Sequence, residues 1–140
     1  MKKHLITFAV LLGALLVVGK SQAQVLVVAN PSVKATEISK GDIRDVFTGA
    51  ATTLPGGISV VPILLKAGTA QEEFLKAYIG KNETAYQAGW RSLVFSGQAS
   101  MPKSLDSDAA VVEFVAHNSN AIGYIGSGSP HEGVKVLAIK

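Results

Sequence analysis

The chain contains 140 residues, of which 48% are hydrophobic and none is cysteine, and its formal net charge is +3. The lack of cysteine excludes a disulfide framework and thiolate chemistry. Three of the 13 basic residues lie before residue 24, and the 10 that follow equal the 10 acidic residues in number. The chain after residue 23 is therefore neutral and has no basic stripe of the kind that binds nucleic acid.

The first 23 residues have the pattern of a secretory signal peptide. A basic start, MKKH, precedes an apolar run of 15 residues, and the small residues Ser21 and Ala23 occupy the −3 and −1 positions of a cleavage site. The run is shorter than the roughly 20 residues that a membrane-spanning helix needs. We therefore predict a cleaved signal peptide over residues 1–23 and one mature domain over residues 24–140. We expect no membrane insertion after cleavage and a location in the periplasm of a Gram-negative bacterium.

The first predicted elements are a buried strand and a capped helix. VLVVAN (25–30) is an apolar, β-branched run that ends before Pro31, which is typical of a buried strand. Ser39 stands three residues before Asp42, and apolar residues at helical spacing follow them. This pattern predicts a helix with a capping box that ends near Gly49.

A second buried strand is predicted over ISVVPILL (58–65), after the turn TTLPGG. Pro62 lies inside this run and has no backbone N–H to donate. We therefore expect the strand to lie at an edge of its sheet, or to be irregular at that residue.

Three further helices and two strands complete the chain. The helices are predicted from Thr69 to Gly80, after a cap at Asn82, and from about Asp106 to His117. The segment 96–104 is predicted to be a loop, and AIGYIG and VKVLAI are predicted to be strands. Strands separated by helices indicate an α/β domain with a central sheet. The residues predicted to face the core are Phe47, Phe74, Leu75, Tyr78, Ile79, Tyr86, Trp90, Leu93, Val94, Phe95, Val111, Val112 and Val115.

The residues that commonly carry catalysis form no recognisable set. His117 and His131 have no spacing to carboxylates or to each other that suits a metal ion. No serine lies in a G-x-S-x-G setting. Glu72 and Glu73 are adjacent on a predicted helix and point in different directions. The sequence therefore predicts no enzyme activity, no metal site and no cofactor.

Four motifs in order carry a family resemblance: VVAN, ISKGDIRDVFTG, ISVVPILLKAGTAQEEF and NSNAIGYIG. They resemble one lobe of the phosphate-binding proteins of bacterial ABC transporters, which are type 2 periplasmic binding proteins. The family has a Ser-Gly-Thr turn that opens a helix containing a phenylalanine, and AGT (67–69) with Phe74 is similar to it. The resemblance implies a three-layer-like α/β lobe, with a central mixed sheet flanked by helices, that binds a solute.

The candidate ligand-binding residues are Lys66, Ala67, Gly68 and Thr69, because backbone N–H groups at such a turn can hold a phosphate or a related oxyanion. The family's arginine before the turn is absent here, and its serine is replaced by Ala67. Losing two donors to a charged ligand weakens binding by about two to four decades. The rival interpretation is a helix that Thr69 and Glu72 cap themselves and that binds nothing.

Two functions therefore stay open. The first is a solute-binding domain that holds phosphate or a related oxyanion weakly, its cleft completed by a second copy in a homodimer. The second is a protein–protein interaction module of the cell envelope that has lost ligand binding. In that case the face that met the absent second lobe meets a partner protein, with the loop 96–104 at its edge.

Overall fold

Short strands and helices alternate along residues 24–140, which are the residues that the computed structural model describes. The signal peptide predicted for residues 1–23 lies outside them. The strands are β1 (Val25–Ala29), β2 (Glu37–Ile38), β3 (Thr53–Leu54), β4 (Ile58–Ser59), β5 (Val61–Leu65), β6 (Lys103–Leu105), β7 (Ala121–Gly126), β8 (Lys135–Val136) and β9 (Ala138–Ile139). The helices are α1 (Lys40–Thr48), α2 (Thr69–Phe74), α3 (Glu83–Phe95) and α4 (Asp108–His117), and α2 continues as a π-helical turn over Leu75–Ile79.

The main sheet has five strands in the order β6-β5-β7-β1-β8. Strand β5 runs parallel to β6 and β7, whereas β1 runs antiparallel to β7 and β8. The remaining strands form two pairs, β2 with β9 and β3 with β4. The predicted central mixed sheet is confirmed.

The two faces of β7 show how the helices flank the sheet. Gly123 and Tyr124 are neighbours in the strand and therefore point to opposite faces. A Cβ on Gly123 would lie 2.9 Å from a methyl group of Val111, so α4 packs directly on that face. The ring of Tyr124 stacks on Phe74 and meets the edge of Phe47, so α2 and α1 cover the other face. The result is a helix–sheet–helix arrangement of three layers.

The predicted helix caps are confirmed for α1 and α3. The Ser39 hydroxyl accepts from the Asp42 N–H, and the Asp42 carboxylate accepts from the Ser39 N–H. Helix α1 ends at Gly49, whose φ of 84° is left-handed. The Asn82 side chain accepts from the Ala85 N–H at 2.9 Å. These caps were predictable because each depends on residues three positions apart.

The strand predicted over residues 58–65 is divided into β4 and β5. Strand β5 lies inside the sheet, but β6 pairs with it only from Ile63 onward. The Val61 N–H donates to Asn120 O on the β7 side, so the nitrogen of Pro62 faces the opposite side, where β5 has no described neighbour. Strand β5 is therefore not an edge strand of the sheet, and the second alternative, an irregularity at Pro62, is the one observed.

Four other predictions need correction. The segment predicted to be a loop runs into β6, whose first two residues lie within it, and VKVLAI forms two short strands in different sheets instead of one. Helix α4 begins at Asp108 rather than about Asp106, after a cap at Ser107. At the end of α3, Phe95 is 95% exposed and Val94 is also exposed, although both were predicted to face the core. The fully buried residues of that helix, Tyr86 and Trp90, lie in its earlier turns.

Buried tyrosines form part of the core. Burial raises the pKa of the Tyr124 phenol well above its ordinary value, although a hydrogen bond from the Leu65 backbone lowers it slightly. Burial likewise raises the pKa of Tyr86, whose hydroxyl donates to Phe47 O at 2.5 Å. Within residues 24–140, no helix is both long and apolar enough to cross a membrane.

Gly49 is the first position that we would test for its contribution to stability. An added Cβ would lie 2.6 Å from Leu93 Cδ1, and the left-handed φ disfavours any other residue. We expect Gly49→Ala to destabilise by about 1–2 kcal/mol through backbone strain and by about 1–3 kcal/mol more through overpacking. Gly56→Ala is the matched control, because its φ is also positive but its Cβ would meet nothing within 4 Å. If urea unfolding shows that both variants lose the same free energy of unfolding, the packing account is contradicted.

The raised tyrosine pKa values predict alkaline destabilisation. Above pH about 10, the unfolded chain loses its phenolic protons while the folded chain keeps those of Tyr86 and Tyr124, so the unfolded state is favoured. We expect the free energy of unfolding to fall by about 1.4 kcal/mol per pH unit for each of the two groups. Urea unfolding at rising pH measures this slope, and Tyr86→Phe should reduce it. An unchanged slope in that variant would refute the assignment.

Candidate functional site

A cleft of about 390 Å³ lies where β5, β6 and β7 end. Its walls come from the segments that follow these strands, residues 67–70, 106–108 and 126–128. Because the three strands are mutually parallel, their carboxyl ends meet at one edge of the sheet. Ligands of α/β proteins commonly bind at this edge.

The turn after β5 has a backbone shape that only glycine adopts readily. Gly68 has φ 107° and ψ 178°, a conformation that other residues adopt only with strain. A Cβ there would meet nothing within 4 Å, so the space beside it is open. The requirement for glycine therefore comes from the path of the backbone and not from crowding.

The start of α2 differs from the predicted self-capped helix. Gly68, not Thr69, is the N-cap residue, and the Glu72 N–H donates to Gly68 O at 3.0 Å. Thr69 is already the first helical residue, so the reciprocal pairing of Thr69 with Glu72 does not form. Among residues 24–140, no side chain caps this helix. The N–H groups of its first turn, at residues that line the cleft, therefore have no side-chain acceptor.

The opposite wall is tied together by Asp108. Its carboxylate accepts from the Gly126 N–H at 2.9 Å and from the Ser129 hydroxyl at 2.5 Å. The preceding residue, Ser107, caps α4 by accepting from the Ala110 N–H at 3.1 Å. The start of α4 is thus capped internally and fastened to the end of β7, unlike the start of α2.

The charged side chains at the cleft partly oppose one another. Lys66 Nζ lies 3.4 Å from Asp106 Oδ1, which joins the segments after β5 and β6. Both side chains are largely exposed, so this ion pair contributes little to stability. With Asp108 included, one cation stands against two carboxylates. The N-terminal dipole of α2 and Lys66 create a positive potential at the cleft, and the two carboxylates oppose it.

Three of the four predicted site residues, Ala67, Gly68 and Thr69, line the cleft, and Lys66 stands at its rim through its pair with Asp106. Sequence reasoning missed the other walls, residues 106–108 and 126–128. The signal that could have found them is topological, because segments that follow neighbouring parallel strands converge. That signal was hidden because β6 has only three residues and was predicted to be a loop.

The two histidines within residues 24–140, His117 and His131, are both exposed. His117 Nδ1 bonds Glu113 O, and His131 Nδ1 bonds Ser129 O. In the described part of the chain, no group of three or more His, Cys, Asp or Glu side chains is placed to hold a metal ion.

Comparisons with known proteins establish the fold. No protein-family model matches the chain, and no curated protein matches it. Several solved structures do match, including the following three. One is described as a phosphate ABC transporter substrate-binding protein from Clostridium perfringens, with bound phosphate (15% identity, TM-score 0.61). The others are an ABC-type phosphate transport receptor from Vibrio cholerae (18%, 0.55) and PstS from Borrelia burgdorferi (14%, 0.54).

The matches cover 83–84% of this chain but only 44–47% of those proteins. The chain therefore spans less than half the length of the structures it resembles. The resemblance to phosphate-binding proteins inferred from the sequence is confirmed at the level of the fold, and the matched proteins are binding proteins rather than enzymes.

The two helix starts at the cleft predict losses of stability of different size when a hydroxyl is removed. We expect Ser107→Ala to destabilise by about 1 kcal/mol, because it removes a cap. Thr69→Ala should change the free energy of unfolding by much less, because the Thr69 side chain makes no capping bond. Urea unfolding of both variants measures the difference. A loss at Thr69 as large as that at Ser107 would restore the self-capped interpretation.

Proposed function

We propose that this protein is an extracytoplasmic binding domain that holds phosphate or a related oxyanion weakly at Lys66, Ala67, Gly68 and Thr69. The observation that carries the proposal is the uncapped start of α2 at an open cleft, behind a glycine in a conformation that other residues adopt only with strain. Uncapped N–H groups and the positive end of the helix dipole both favour an anion. The shared fold with a protein solved with bound phosphate supports the choice of ligand.

The acidic residues favour a protonated oxyanion. An ionised carboxylate only accepts hydrogen bonds, so Asp106 can accept one from hydrogenphosphate but not from sulfate, which carries no proton. Its charge also repels the singly charged dihydrogenphosphate less than the doubly charged sulfate. We therefore propose that the cleft prefers phosphate to sulfate.

The proposed affinity is in the millimolar range, which corresponds to about −4 kcal/mol. The arginine and serine donors of the family pattern are missing, and one cation faces two carboxylates. The exposed position of the four site residues leaves the anion partly hydrated. Closure of the cleft by a second copy of the chain would raise this affinity by excluding water.

The experiment is an NMR titration of amide-labelled protein with phosphate, with sulfate as the ion control. We expect saturable shifts of the amides from Ala67 to Gln71 with phosphate and weaker ones with sulfate. Gly68→Asp should abolish them, because it places a negative charge at the turn and disfavours its backbone shape. Gly57→Asp is the matched control, since Gly57 also has positive φ and open space but lies outside the cleft.

Equal responses of the wild type and Gly68→Asp would reject this site. The alternative, an interaction module of the cell envelope, is favoured by one observation: Phe95 is 95% exposed, and Val94 and Met101 are exposed as well. If the amide signals do not shift even at phosphate concentrations well above the millimolar range, the alternative replaces the proposal.

A further inference from the structure

The hydroxyl of Tyr124 lies buried beneath the turn that opens α2. It accepts a hydrogen bond from the Leu65 N–H at 3.1 Å and donates one to Gln71 Oε1. Tyr124 has no exposed surface, and Gln71 is only 1% exposed. Gln71 is thus a fully buried polar side chain, and such a group needs its partners.

These two hydrogen bonds join the two ends of the turn. Leu65 is the last residue of β5, and Gln71 is the third residue of α2. The segment between them, residues 66–70, contains all four candidate site residues. Strands β5 and β7 are paired only at Val61 and Pro62. At Leu65 the backbone N–H therefore donates to the Tyr124 hydroxyl instead of a backbone carbonyl of β7.

The hydroxyl is itself held in place on both sides. The Tyr124 ring stacks on Phe74 with centroids 3.7 Å apart and planes 3° apart, and the edge of Phe47 fixes it laterally. Gln71 Nε2 donates to Glu83 Oε2 at 2.8 Å, which orients the amide so that its oxygen faces Tyr124. Glu83 also accepts from Gln87 Nε2 at 3.0 Å. The network therefore connects β5, β7, α2 and α3.

We infer that Tyr124 is a positioning residue for the proposed anion site, because its hydroxyl fixes the distance and orientation between the end of β5 and the first turn of α2. The amides from Ala67 to Gln71 converge only if both ends of their segment are held. This inference rests on the proposed function for its ligand. The two hydrogen bonds of the Tyr124 hydroxyl, which we call the clamp, can be observed without any ligand. Burial keeps the phenol protonated, so the clamp persists across the neutral pH range.

The test compares Tyr124→Phe with Tyr78→Phe in the full chain. Tyr78 lies in the same aromatic cluster, with its ring 5.6 Å from that of Phe74, and its hydroxyl makes no hydrogen bond among those described for residues 24–140. Both variants keep the ring and lose a phenolic oxygen. We expect Tyr124→Phe to weaken phosphate binding about tenfold or more in the NMR titration, and Tyr78→Phe to leave it unchanged.

Hydrogen exchange without phosphate provides the second readout. We expect faster exchange at Leu65 and at residues 66–71 in Tyr124→Phe, with unchanged exchange in β1 and at the centre of α4. A residue that only fills the core would lower stability everywhere and leave the affinity of the folded molecules as it was. Unchanged affinity and unchanged local exchange in Tyr124→Phe would overturn the inference.

A double-mutant cycle covers the case in which Tyr124→Phe folds poorly. Gln71→Met removes the acceptor with little change in volume, so it should loosen the same segment. We expect the double variant to lose no more affinity than the stronger single variant, because both substitutions break one shared hydrogen bond. If the double variant loses as much phosphate affinity as the two single variants together, the clamp is rejected. A wild type that binds no phosphate would reject the proposed function, and hydrogen exchange would then decide the inference alone.

Discussion

Strand β7 is the element on which the fold and the cleft both depend, because its two faces make opposite demands. Gly123 must be small so that Val111 of α4 can approach one face, whereas Tyr124 must be large to fill the other face between Phe47 and Phe74. The same strand pairs with β1 from Ile122 to Gly126 and with β5 only at its start. The separation of β5 from β7 opens the space into which the cleft and the buried hydroxyl fit.

The proposed anion site combines a backbone suited to anions with side chains that weaken their binding. In this proposal the first turn of α2 and Lys66 attract the anion, whereas Asp106 and Asp108 repel it. An anion held in the millimolar range and captured at a diffusional rate would leave on the order of 10⁵ times per second. Such exchange suits a site that follows the ambient concentration, and less a site that retains its ligand for delivery.

The sequence was informative where the deciding interactions are local. The caps at Ser39 and Asn82 and the fold resemblance followed from short motifs, and the structure confirms them. The start of α2 was misjudged because the choice between Gly68 and Thr69 as the cap depends on how the chain leaves β5. Asp108 was missed because its partner, Gly126, is 18 residues away and is brought close only by the sheet. Phe95 was predicted to be buried because helical spacing does not show where the packing of a helix ends.

Pro62 has a consequence for the behaviour of the protein among its own copies. Among residues 24–140, the beginning of β5 has a strand neighbour on one side only, and Val61 there is 53% exposed. An open strand edge with an apolar residue is a template on which another extended chain can add as a new strand. The proline withdraws the N–H that such an addition would require and places its ring against the incoming backbone. Pro62 thereby protects the sheet from aggregation at the beginning of β5, where β6 is too short to pair with it.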